Sequence, residues 1–599
     1  MNIPRQFYGM NYLSRIFDNF QDGETMECPK LAYNIIEDVE AVHLPSKSTM
    51  ALSLNAGRIS TFLQDVATDR LCALDGLAIC RGENLVFAKY RPPYSASVPH
   101  ITNSTCKTLV AIAVMFAISE HLIIENDPVL SFFPEYDTLL TPKSVKQMTV
   151  YHLLTMTSCS KCNEVISVTE QDWVKAFLLT DCQCEPGSQF IYNSMNTYML
   201  AAILTKVTGM SLTEYLKERF FTPLGINHVK WELCPKGIER GGWGLHISLE
   251  DMLKIGLFLA NDGAYGVKQL LHPSFIRKMK AVNITQEADS LSTGYGYQLW
   301  HLPHGLYMLS GMYGQHVVVD EKHKLIVATN AHNDKMFPDS ALVSKIITFM
   351  TDEGLYYPDS KMQETFHYKS LMQQAEAFEQ GFSLEQYVAK VPYAVYQFTQ
   401  KQQRKADTAR LLELLVYFDR KRLHVDQASF KLFPYMLQGM YQYPPFHVTD
   451  ISFRLSERTF KMCFYKEKNK KDNSEIREKM IIEAGLNEYY HQKIRIGEEE
   501  KIIAVKAYPA KDEDGHDVIL IEIVFPDAGF SRVIKFFFLE ERIGIECLEY
   551  PDMRGIVEQV LYGETVLAGT KIDLTDILPQ SIRVFLEHKV EPRVNGYFQ

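Results

Sequence analysis

The stretch "STCKTLVAIAVMFAISEH" (104–121) holds ten consecutive apolar residues, Leu109 to Ile118, with no polar face among them. An all-round apolar run reads as a helix buried on every side, because a surface helix keeps one wet stripe. It is far too short to cross a bilayer, which takes about 20 residues. Ser104 and Lys107 stand at its start, three apart, so that on a helix they share a face where the core begins. Two polar residues placed there are either a first-turn serine and a snorkelling lysine, or a reactive pair.

The chain can bury such a helix. It has 599 residues, 46% hydrophobic and 23% charged, which exceeds one core and suits two or three domains. The formal net charge is 62 minus 73, or -11, and this argues against nucleic acid or an anionic membrane as a partner. The N-terminal "MNIPRQFYGMNYLSRIFDNF" has no apolar stretch like that of a signal peptide and reads as a short docking segment or helix. With no transmembrane segment either, a cytoplasmic protein is expected. Eleven cysteines in a chain without an export signal are expected to be scattered reduced thiols. Four of them, Cys159, Cys162, Cys182 and Cys184, lie close in sequence. A zinc knot is the lesser alternative, since the second pair is separated by one residue where two to four is usual. No cofactor and no metal are expected.

Three regions follow one another. Residues 1–355 mix strands and helices. A hairpin is expected over "GLAICRGENLVFAKYR" (76–91) at a sheet edge, two helices over 196–226 split at Gly209, a second hairpin over 314–332, and a helix over 339–353. Strands at both ends with helices between predict an α/β domain, an antiparallel sheet flanked by helices. Residues 356–445 are Gln- and Leu-rich and mostly helical, a linker or cap region. Residues 446–599 change to strands, from "ISFRLSE" to "IGIECLEY", and predict a β-sandwich or barrel-like domain. Its charged run "KEKNKKDNSEIREK" (466–479) reads as a solvated loop.

The chemistry rests on three elements. A serine hydroxyl is a weak nucleophile until a base removes its proton, and a lysine can do so when burial favours the neutral amine. The apolar continuation after Lys107 offers that burial. "EPGSQFIYNSMNTYMLAAI" (185–203) places Tyr192, Asn193 and Ser194 at a helix start, where a tyrosine beside a lysine can relay the proton; taken alone, a core tyrosine is the plainer reading. "YMLSGMYGQHVVVD" (307–320) carries Gly311 and Gly314 on a strand whose backbone can come close to a substrate.

In this order, "STCK" (104–107), "EPGSQFIYNSMNTYML" (185–200), "GGWGLHISLEDMLKIG" (241–256) and "GMYGQHVVVDEKHKLIV" (311–327) resemble the serine β-lactamase-related family. That family includes class C β-lactamases, DD-carboxypeptidases and esterases of the same fold, and the likeness covers about residues 70–350. It implies a β-lactamase/transpeptidase-like domain and a serine hydrolase working through an acyl-enzyme on an ester, amide or lactam bond of a small-molecule or short peptide substrate. It makes Ser104 the nucleophile, Lys107 the base and Tyr192 the proton shuttle. The backbone amides of Ser104 and Met312 become the oxyanion hole, and Ser194, Asn196, Ser310 and Gly311 line the substrate. Two departures stand out. Ser194 occupies the place of an asparagine, and Leu309-Ser310-Gly311 stands where a lysine- or histidine-led triad is usual. The second leaves no cation for a substrate carboxylate, which favours an esterase or amidase over an efficient lactamase. The alternative is a non-catalytic binding or scaffold protein that retains the fold.

Overall fold

The structure, a computed structural model, describes residues 31–598 apart from 169, 286–290, 334–340, 427–429, 435–436, 438–445, 467–478, 498, 541 and 552–592. The expected N-terminal docking segment and the body of the charged run after Lys466 lie outside the described residues. The chain divides into two compact units, with the boundary between Glu385 and Gln386. No helix among the described residues is long and apolar enough to cross a membrane.

In the first unit the apolar run forms the helix Cys106–Ser119 after a single 3-10 turn, Asn103–Thr105. Leu109 to Met115 are all fully buried, as a helix without a polar face requires. It packs against the helices Ser194–Thr208 and Pro273–Lys280 and the strand Tyr307–Gly311.

The main sheet is antiparallel, in the order Asn84–Tyr90, Leu74–Arg81, Leu325–Ala331, Gln315–Asp320, Tyr307–Gly311, Trp300–His301, Gly294–Tyr295, Ile284–Thr285. The hairpin expected near 76–91 is present and its second strand is the sheet edge. The hairpin expected over 314–332 pairs Val318 with Val327, and Val327 pairs onward with Ile79. Both faces of these central strands are covered, which is why "HVVVD" is buried at every position. The helix Leu249–Ala260 covers one face. The helices Ala341–Thr351 and Ala56–Thr68 belong to the same unit, with Phe62 and Phe349 stacked at 4.2 Å. Lys361–Glu379 packs in turn on Ala56–Thr68. There Glu364 accepts hydrogen bonds from Thr49 Oγ1 (2.8 Å) and Ala56 N (2.9 Å). A smaller sheet, Tyr33–Ile36, Val229–Glu232, Leu245–Ile247 and His100–Ile101, leads directly into the turn that carries Ser104.

The second unit holds the helix Tyr393–Val416 and a strand-rich module. Arg422–Val425 pairs on one side with His447–Leu455 and on the other with Arg593–Phe598, so the ring of strands closes and the module is barrel-like. All seven strands read from the sequence are present. Lys479–Leu486, Arg422–Val425 and Arg593–Phe598 were not read, being short or next to charged and turn-rich segments. Inside, the rings of Phe418, Phe453, Phe460 and Phe536 meet edge-on or stacked.

Candidate active site

The turn carrying Ser104 is tied to both sheets. Thr102 donates through N (2.8 Å) and Oγ1 (3.0 Å) to Leu245 O in the smaller sheet. Thr105 Oγ1 donates to Gln315 O in the main sheet (2.8 Å). Asn103 has a left-handed backbone (φ 48°), and its Nδ2 donates to Met312 O (3.1 Å). Asparagine is one of the few residues that takes this conformation at small cost. Gly311 ends its strand against the same turn, so close that a Cβ there would lie 2.3 Å from Thr102 O. The main chain at Gly311 and Met312 is thereby brought alongside Ser104.

Lys107, one turn into the helix, is 2% exposed. Its Nζ donates to Ser104 Oγ at 2.6 Å, Gly242 O at 2.7 Å and Ser194 Oγ at 3.0 Å. All three are oxygens of neutral groups. Gly242 reaches the amine because it has no side chain: a Cβ would come within 2.6 Å of Ser194 O. The segment before it is anchored by Arg240, whose Nη1 donates to the buried Glu232 carboxylate (2.8 Å) and whose guanidinium lies 5.7 Å from the ring centroids of Trp173 and Trp243. Burial pushes the Cys106 thiol up to about 12, so it stays protonated and donates to Gly241 O (3.1 Å).

Tyr192 meets Lys107 with its ring, the amine lying 5.0 Å from the centroid. No hydrogen bond joins its hydroxyl to Ser104 or Lys107. The ring stacks on Trp300 at 5.4 Å and stands edge-on to Tyr295 at 6.4 Å, and Phe190 completes an aromatic wall. Tyr295 is fully buried, and burial holds its phenol well above the ordinary range and so uncharged.

Ser194 opens the helix Ser194–Thr208 and its backbone N–H donates to Glu164 Oε1 (3.2 Å). An anion at a helix N-terminus is favoured by the unpaired amides and the helix dipole. Asn196 is spent elsewhere: Oδ1 accepts from Ser158 Oγ (2.6 Å) and Nδ2 faces Met156 Sδ (3.3 Å). Ser310 Oγ lies 3.1 Å from His316 Nδ1, its register partner on the neighbouring strand. Complete burial lowers the His316 pKa from 6.5 to about 4, which leaves the imidazole neutral.

The fold thus brings Ser104, Lys107, Tyr192 and Ser194 into contact, sets Gly311 and Met312 beside Ser104, and turns both polar atoms of Asn196 to other partners. Asn103, Glu164, the Gly242 carbonyl, Trp300 and His316 are parts of the site that sequence reasoning missed. The one sequence signal for any of them is the glycine-rich "GGWG", since glycines permit close backbone approach. The expectation of reduced thiols is corrected at one pair: Cys159 and Cys184 form a disulfide. Two cysteines 25 apart in sequence carried no signal of that contact, and the bridge takes two of the four thiols that a zinc site needed. Among the described residues no cluster of three or more His, Cys, Asp or Glu is placed to hold a metal.

Residues 69–343 match the family model described as beta-lactamase. The beta-lactamase of Escherichia coli K12 is 27% identical over 177 residues, 28% of this chain and 44% of that protein. The beta-lactamase of Yersinia enterocolitica is 26% identical over 195 residues, 32% of this chain and 47% of that protein. The chain therefore spans less than half the length of these curated relatives. Among solved structures, the octameric penicillin-binding protein homologue from Pyrococcus abyssi aligns with a TM-score of 0.39 at 17% identity, over 82% of this chain and 97% of that one.

Proposed function

From a chain whose residues 69–343 have the β-lactamase/transpeptidase-like serine-hydrolase fold, we propose an acyl-transfer hydrolase that uses Ser104 as its nucleophile. One observation carries the reading: the buried Lys107 amine 2.6 Å from Ser104 Oγ. Contacts to Gly242 O and Ser194 Oγ hold the same amine facing the Ser104 hydroxyl.

In the proposed reaction, Ser104 Oγ attacks the substrate carbonyl carbon as its proton passes to Lys107 Nζ. The carbonyl oxygen takes the negative charge between the amides of Ser104 and Met312, where each donor contributes about 3 kcal/mol to the barrier. Collapse breaks the bond to the leaving group, which takes the proton from Lys107 directly or by way of the Tyr192 hydroxyl. Water then hydrolyses the acyl-serine by the same steps in reverse order.

An ester or amide with an uncharged acyl part fits best. The wall of Phe190, Tyr192, Tyr295 and Trp300 is aromatic, and the triad led by Leu309 offers no cation for a carboxylate. Intact mass after incubation with a fluorophosphonate tests the reading. A single adduct is expected on the wild type and none on a folded Ser104→Ala. An equal adduct on that variant would sink the assignment. No adduct on either protein would favour the scaffold reading, for which the missing Tyr192 hydroxyl contact is the observation in hand.

A further inference from the structure

In the second unit, the strands Arg422–Val425, His447–Leu455 and Thr459–Lys466 lie side by side, with Arg422 opposite Ser452, Ser452 opposite Cys463, and Arg454 opposite Lys461. Alternation sends Phe453, Met462 and Phe464 into the core and turns Ser452, Arg454, Lys461 and Cys463 outward. This outer face and the Arg420–Lys421 turn line a cavity of about 470 Å³, a size usual for small-ligand sites. Of its eight lining residues, five are cationic: Arg420, Lys421, Arg422, Arg454 and Lys461. Three of them are consecutive in sequence, and the strand pairing sets Arg454 and Lys461 beside them.

The charges are incompletely balanced within the protein. Arg422 Nε lies 3.3 Å from Asp450, Lys461 Nζ 3.1 Å from Glu483 and Arg420 Nε 3.6 Å from Asp419. Lys421 rests on the rings of Tyr417 (3.8 Å) and Phe598 (4.7 Å). Arg454 has no acidic partner among the described residues, yet it stands directly across the strand pair from Lys461, where like charges repel. Arg420 also holds a left-handed backbone (φ 59°), a conformation that costs energy in a residue other than glycine. A bound anion offsets the repulsion and uses the cationic fork that this turn presents.

We propose that this cavity binds the phosphoryl group of a small ligand, with Arg454, Lys461 and the Arg420–Lys421 turn around its oxygens. Several cations about one concave site suit a multiply charged group, and the arginine fork matches two phosphoryl oxygens at once. Free phosphorylated metabolites and phospholipid headgroups share that chemistry. The test uses the full chain: calorimetric titration with inorganic pyrophosphate, and co-sedimentation with phosphatidylcholine vesicles made with and without phosphatidic acid. Saturable, salt-sensitive binding is expected on the wild type, weakened about tenfold in Arg454→Ala. Arg454 is exposed, so the variant should melt as the wild type does. Pyrophosphate binding without vesicle binding assigns a soluble ligand, and vesicle binding that needs phosphatidic acid assigns a headgroup. No saturable binding to either probe, or equal binding by Arg454→Ala, overturns the proposal.

Discussion

At the scale of single residues, the site is defined by what surrounds Lys107. Its spacing from Ser104 was legible, because three residues on a helix fix a shared face before any fold is known. Its other two partners were not, since a backbone carbonyl such as that of Gly242 has no side-chain signature and Ser194 differs from the expected asparagine. His316 makes a separate prediction. Its folded-state pKa of about 4 lies below its ordinary 6.5, so between these values the unfolded chain binds a proton that the folded chain refuses. Stability from this residue is therefore full above pH 6.5 and is lost as pH falls towards 4, by up to about 3 kcal/mol. Urea unfolding at pH 7 and pH 4.5 should show a smaller loss for His316→Gln than for the wild type. An identical loss would mean that His316 is not held neutral.

Elements position these residues more than the residues position themselves. The strand Tyr307–Gly311 meets the Ser104 turn with nothing between Gly311 and Thr102 O, and the backbone at Gly311 (φ -120°, ψ 156°) is open to any residue. Space alone excludes a side chain there. Gly311→Ala should push the strand end and the Met312 amide away from Ser104, slowing fluorophosphonate labelling by about a hundredfold or more while the protein still folds by circular dichroism. Labelling at the wild-type rate would remove Met312 from the oxyanion hole. The strands themselves were readable where β-branched apolar runs stood on either side of a polar turn, as in "HVVVDEKHKLIV". Lys479–Leu486 was missed because it follows a dense charged run, where pairing with Thr459–Lys466 decides the structure and local propensity does not.

At the scale of the molecule, contacts between distant parts of the chain hold the first unit together. Glu364 is buried, and its carboxylate serves Thr49 and Ala56, more than 300 positions away. Glu364→Ala would strip an acceptor from a buried hydroxyl and from an amide at the start of the helix Ala56–Thr68. The expected cost is about 2–4 kcal/mol, seen as a lower unfolding midpoint, and Glu364→Gln should recover part of it. An unchanged midpoint in Glu364→Ala would show that water satisfies both donors. Nothing in the Gln-rich sequence around Glu364 marks it, since a glutamate in a polar helix ordinarily faces solvent.

The sequence alone determined that one helix had to be buried on all sides, that Ser104 and Lys107 begin it, which hairpins flank it, and that strands take over near residue 446. These follow from period, composition and spacing, which are properties of neighbours in the chain. Only the tertiary structure decided which oxygens surround the Lys107 amine, that Asn196 turns away while His316 backs Ser310, that Cys159 meets Cys184, and that five cations share one cavity. Most of these join positions far apart in the chain, and where they are near, as at Ser310 and His316 or Arg454 and Lys461, strand register decides the meeting and no local pattern encodes it.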